Sequence, residues 1–149
     1  MSLSVFKAME LNGQALSAQR LRLDIVSSNL ANAQTTRTPE GGPYRRRDVA
    51  LATDVARGRF GQLLHNELME PVRTVQVQEI VADDSAPRMV YDPNHPDADP
   101  NGYVAMPNIN AVEEMVNMIT VMRSYQANLN VFSSLQDMTS RALTLGRSG

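Results

Sequence analysis

The chain has 149 residues, 42% of them hydrophobic and 20% charged, with a formal net charge of -2. That length supports one modest core, and so small a charge does not draw the chain toward nucleic acid or an anionic membrane. With no cysteine and only His65 and His95 as imidazoles, disulfides, thiolate metal sites and cysteine nucleophiles are excluded.

Residues 3 to about 33 predict a long helix. No proline interrupts them, and Met9, Leu16, Leu23 and Leu30 recur every seven residues with Phe6 and Val26 beside that stripe. Gly13, Gln19, Arg20 and Ser27 fall on the complementary seam, so this helix is weak alone. The opening MSLSVFKAMELNGQ lacks the basic-then-apolar pattern of a cleavable signal, and no run of about 18 apolar residues follows anywhere. The expectation is no ordinary secretion signal and no membrane span.

From residue 36 to 109 the character changes, and all eight prolines lie there. Three runs alternate as strands do: DVALATDV (48–55), RTVQVQEIV (73–81) and PRMVYD (87–92). Val49, Leu51 and Val55 share one parity, as do Val75 and Val77, so each run is expected to cover one side of a small core. Residues 56–70 match neither period and predict no element. The run Arg45, Arg46, Arg47 has no interleaved aromatic residues and reads as an ion-paired or interface face.

The segment YDPNHPDADPNGYV (91–104) carries the sharpest chemical motif. Asp97, Asp99, Asn101 and Gly102 occupy positions 1, 3, 5 and 6 of a calcium loop. Position 12, where a bidentate glutamate belongs, is Asn108, and position 9 is Ala105. Asp92, Pro93, Pro96, Gly102 and their neighbours are also what tight turns require. His95, with no second histidine at helical spacing, reads as a solvated loop residue.

A second helix is predicted from Asn110, which caps it with Glu113 placed three residues on, as in a capping box. Met115, Met118, Met122, Tyr125, Leu129 and Phe132 step by three and four, Leu135 and Met138 continue the stripe, and Gly146 supplies a stop. Each helix would be on the order of 45–50 Å long. The methionines suit packing against non-identical neighbours, and amides such as Asn29, Asn32, Asn117 and Asn128 favour defined pairing. No phosphate loop, nucleophile elbow or metal-ligand spacing is present, so no enzyme is expected.

Several blocks carry a resemblance: SSNLANAQT (27–35), GGPYRRR (41–47), YDPNHPDADPNGYVAMPNIN (91–110), EEMVNMI (113–119) and RSYQANLNVF (123–132). In this order and spacing the chain resembles the axial proteins of the bacterial flagellum, and among them those of the proximal rod. The resemblance implies an α+β fold, in which long N- and C-terminal helices (1–35 and 110–149) pair as a coiled-coil-like inner domain and a β-rich outer domain (36–109) is inserted between them. It implies a structural subunit without cofactor, exported by the flagellar type III apparatus and polymerised with its own copies and other rod proteins. Its place would be the rod crossing the periplasm, above the base of the membrane ring, with no nucleic acid and no membrane span of its own. Asn29, Leu30, Ala31 and Asn32 match the axial motif at the junction of inner helix and linker. Met9, Leu16, Leu23, Val26, Met115, Met118, Met122, Tyr125, Asn128, Leu129 and Phe132 would pack between subunits. Asp92, Pro93, His95, Pro96, Asp97, Asp99, Gly102 and Tyr103 would form a braced connection returning the chain to the core. A calcium- or zinc-binding module built on the 91–104 loop and a free-standing cytosolic helical adaptor are the alternatives.

Overall fold

The computed structural model describes residues 2–55 and 73–147; the 56–70 segment lies outside the described residues. In chain order the elements are α1 (Ser2–Ala31), β1 (Arg47–Val55), β2 (Arg73–Ala82), β3 (Arg88–Tyr91), β4 (Tyr103–Met106) and α2 (Ala111–Arg147). In chain order two long helices thus flank a small β region of two two-stranded sheets, an α+β fold.

The three predicted strands fall within a residue or two of β1, β2 and β3. β4 is an addition that alternation did not reveal. It pairs antiparallel with β3, setting Val90 opposite Val104 and Tyr91 opposite Tyr103. The Asp83 amide donates to Arg46 O at 2.7 Å, so the start of β1 lies beside the end of β2, as an antiparallel pair requires.

Two helix ends differ from expectation. α1 closes at Ala31, after which residues 32–34 turn, and α2 continues past Gly146 to Arg147. Asn110 caps α2 as predicted, accepting from the Val112 amide at 3.1 Å. Glu114, one residue beyond the acid expected to answer in the box, is the first-turn carboxylate with a defined partner, Arg46.

The chain divides into two compact units, each built from segments distant in sequence. The first comprises Met1–Arg20, Ala50–Glu79 and Arg123–Gly149. Among its described residues the buried side chains are Asn12 and Ala18, and Asn12 Nδ2 donates to Asn128 O at 3.0 Å, tying α1 to α2. Leu51, Val75 and Val77 are exposed, so the expectation that these strands cover a core is overturned: a two-stranded sheet has too few neighbours to bury a face. The second unit, Leu21–Val49 and Ile80–Met122, holds the core, in which Val26, Val104, Pro107, Ile109 and Val121 are buried together with Asn29 and Glu114.

Alternation across the β3–β4 hairpin sorts its faces. Val104 is buried and Val90 half-buried on one side, while Met89, Tyr91 and Tyr103 are exposed on the other. Tyr91 and Tyr103 meet edge to face with centroids 5.3 Å apart. At the end of the connecting loop Gly102 takes a φ of +83°, and a Cβ there would lie 2.9 Å from Tyr91 Cε2 and 3.2 Å from Pro93 Cβ. Gly102→Ala is therefore expected to cost roughly 1–3 kcal/mol, read as a lower urea midpoint with an unchanged slope.

Candidate functional site

The most tightly built site lies where α1 hands the chain to β1. The Asn29 side chain is fully buried. Its Nδ2 donates to Arg47 O at 2.7 Å, and its Oδ1 accepts from Arg47 N at 2.9 Å. The amide therefore pairs with both main-chain groups of one residue, as a neighbouring strand would. Because an N–H only donates and a carbonyl only accepts, these partners also fix which end of the amide is oxygen. Tyr44 donates its hydroxyl hydrogen to the same Oδ1 at 3.2 Å, which leaves Ser28 Oγ as the donor across its 3.2 Å contact with Tyr44.

Asn32 completes the junction. Its Nδ2 donates to Ser28 O, which also accepts from the Asn32 main-chain amide at 3.0 Å, and its Oδ1 accepts from Thr35 Oγ1. Leu30 is half-buried and Ala31 exposed. The four motif residues thus divide into two amides that bond and two apolar residues that space them.

A charged contact joins the entry of β1 to the first turn of α2. Arg46 Nε donates to Glu114 Oε1 at 2.7 Å, and Arg46 Nη1 approaches Asp48 at 3.3 Å. Burial works against the Arg46 charge, but the hydrogen bond and attraction to Glu114, with a smaller contribution from Asp48, outweigh it and raise the guanidinium above its ordinary range. A raised pKa on a cation stabilises fully below the unfolded value and is lost only as pH climbs through the arginine range, so neutral pH leaves this contribution whole. Glu114→Ala removes the partner of a guanidinium that stays 27% exposed. We expect a loss of about 1–3 kcal/mol in denaturant titration, less than a fully buried pair would show.

Of the remaining arginines in the run, Arg45 pairs with the exposed Asp84 at 3.0 Å and Arg47 stacks over the Tyr44 ring at 5.7 Å. The run is ion-paired and stacked, as the sequence suggests.

The 91–104 acids are turned onto the chain itself. Asp99 Oδ1 accepts from the amides of Asn101 and Tyr103, both at 2.8 Å, and Asp92 Oδ1 accepts from the Asn94 amide at 3.3 Å. Asp97 accepts from Thr36 Oγ1 at 2.8 Å. Among the described residues no three His, Asp or Glu side chains gather as metal ligands do. His95 is half-buried instead of solvated, and its Nδ1 accepts from the Asp97 amide at 3.1 Å. Pro93 and Pro96 stand exposed on the loop.

Along α2 the buried and half-buried residues include Glu114, Met118, Val121, Tyr125, Asn128, Phe132 and Leu135, at steps of three and four. Met115, Met122, Leu129 and Met138 are exposed, as are Val112, Val116, Ile119 and Leu143. The predicted stripe is therefore divided: Met118, Tyr125, Asn128 and Phe132 pack at least partly, while Met115, Met122 and Leu129 meet solvent. On α1, Met9, Leu16 and Leu23 are half-buried, Val26 is buried and Phe6 is exposed.

Two family models match. "Flagella basal body rod protein" covers residues 9–37, and "Flagellar basal body rod FlgEFG protein C-terminal" covers residues 101–145. Similar curated proteins are flagellar basal-body rod proteins FlgC. That of Borreliella burgdorferi is 40% identical over 96% of this chain and 98% of its own length. Those of Bacillus subtilis and Salmonella typhimurium are 38% and 37% identical, each over 97% of this chain and 100% of their own length. The chain belongs to the FlgC family of flagellar basal-body rod proteins. FlgC membership makes it a structural component of the basal-body rod. The two matched stretches contain the Asn29 and Asn32 junction and the α2 face. No helix among the described residues is long and apolar enough to cross a membrane.

The sequence reading missed Tyr44, Arg46 and Glu114 as members of the site. Arg46 and Glu114 are 68 residues apart, and nothing local announces their meeting. For Tyr44 a signal exists, since a tyrosine beside Gly41, Gly42 and Pro43 marks a turn whose ring needs a partner.

Proposed function

We propose that the chain polymerises into the proximal rod by burying the exposed apolar residues of α2 against copies of itself and other rod proteins. The observation that carries this reading is the exposure of Val112, Met115, Val116, Ile119, Met122, Leu129, Val131, Met138 and Leu143 on one long helix. A monomer rarely leaves so long a run of large apolar side chains in water unless another surface covers them. The near-absence of buried side chains among the described residues of the first unit supports the same reading.

In this proposal residues 1–35 and 110–149 form the inner helical layer, and residues 36–109 the outer domain. Met9, Leu16, Leu23, Val26, Met118, Tyr125, Asn128 and Phe132 join the helix contacts, and the braced 91–104 loop returns the chain to that layer. The subunit catalyses nothing; its work is to transmit load through apolar packing and side-chain hydrogen bonds across many copies. It leaves the cytoplasm through the flagellar type III apparatus, adds to a rod crossing the periplasm, and meets the base of the membrane ring.

The test is to tag the chain in its own bacterium and purify basal bodies. The proposal requires the tag in the rod, and its retention in the cytoplasm when the flagellar export apparatus is inactivated. A tag absent from rods in swimming cells would overturn it.

A further inference from the structure

The β3–β4 loop contains a histidine that shares a residue with the linker after α1. His95 Nδ1 accepts from the Asp97 amide at 3.1 Å. A backbone N–H only donates, so Nδ1 carries no proton and the neutral ring holds its hydrogen on Nε2. The Asp97 side chain meanwhile reaches out of the loop. Its Oδ2 accepts from Thr36 Oγ1 at 2.8 Å, and its Oδ1 lies 3.8 Å from Arg37 Nη1. One residue thus meets the imidazole with its amide and holds the linker with its carboxylate.

We infer that His95 is a proton-operated latch whose protonation releases the Thr36–Arg37 linker from the loop. A proton on Nδ1 sets two N–H donors face to face, so the Asp97 amide loses its acceptor. The imidazolium then requires an anionic acceptor. The charged groups on the segments that meet here are Asp92, Asp97 and Asp99 of the loop and Arg37, Glu40, Arg45 and Arg46 of the linker, of which Arg37 is the one paired with a loop acid. Asp99 is engaged by two amides of its own turn and Asp92 by one. Asp97 is held by one hydroxyl and by a long ion pair to an arginine that is 80% exposed. It is the carboxylate most easily recruited, and recruiting it removes the anchor of the linker. The bridge is present while the ring is neutral and is lost when Nδ1 takes up a proton. The groove bounded by Asn32, Arg37, Tyr44 and Arg47 changes with it, because Arg37 forms part of the wall. This latch stands on local geometry and does not depend on the rod assignment.

The experiment is NMR on the purified full chain from about pH 7.5 to about pH 5, the range that brackets imidazole titration. At the upper end the His95 ring is expected as the Nε2–H tautomer. On acidification, after correction for intrinsic exchange, protection of the Asp97 amide is expected to fall about threefold to tenfold. The Thr38 and Tyr44 amides, which donate to Gly42 O and Thr35 O within the linker, are expected to follow. His95→Gln, which cannot titrate, should abolish the response. An Nδ1–H tautomer at the upper pH, a response that survives in His95→Gln, or an Asp97 change that leaves the linker amides unmoved would each overturn the latch.

Discussion

Asn29→Ala is expected to cost about 2–4 kcal/mol, because it strands both main-chain groups of one residue at once. The Arg47 N–H and C=O each lose their partner in part-buried bonds, where a lost bond costs roughly 1–2 kcal/mol. Tyr44 loses an acceptor as well. Asn29→Asp should fail to rescue despite its matching shape. It replaces the Nδ2 donor, which sits 2.7 Å from a carbonyl, with a second acceptor. Tyr44→Phe removes only peripheral bonds and should cost below about 1.5 kcal/mol. Equilibrium denaturation of the three variants checks this order. An Asn29→Ala protein as stable as the parent would mean that the junction is decorative.

Leu129→Asp is expected to abolish rod assembly and swimming while leaving the isolated chain folded. Leu129 is 37% exposed in the single chain, so a carboxylate there remains hydrated before assembly. Burying it unpaired against a neighbour costs several kcal/mol, and each 1.4 kcal/mol is tenfold in affinity. Repeated at every subunit contact, that penalty stops growth. The check has two parts: unchanged circular dichroism and denaturation of the purified variant, and absence of rods and motility in cells. Normal swimming would contradict a seam at this position.

The two largest effects differ in how visible they were. The α2 face comes from apolar periodicity, which showed that the helix is amphipathic but not which face turns inward. Residues 112, 115, 116, 118, 119, 121 and 122 are all apolar, so most of the helix circumference qualifies. Contacts within the chain select the side holding Met118 and Val121, and Met115 and Met122 are left outside. β4 was hidden for a related reason. Its four residues follow a turn-rich loop, and their extended form depends on pairing with β3 across that loop.

The junction was visible only in part. The asparagines of SSNLANAQT stood out as amides in an apolar helix, and the resemblance placed them at its end. Their partners lie beyond any spacing rule, since Asn29 reaches Arg47 eighteen residues on. In the 91–104 segment the residue types were read correctly as turn formers. Asp99, which the calcium-loop pattern would use as a ligand, points at amides of its own turn, a choice made by backbone geometry that composition does not disclose.

Rod assembly is expected to cover the apolar side chains exposed on α2. The chain has no cysteine, so Met122→Cys introduces a single thiol at a position 52% exposed in the monomer. The decisive measurement is the rate of maleimide labelling of that thiol in purified monomer and in purified basal bodies. Rapid labelling is expected in the monomer and strong protection in the rod. Equal labelling in both would show that this face stays in water after assembly and that α2 does not form the subunit contact.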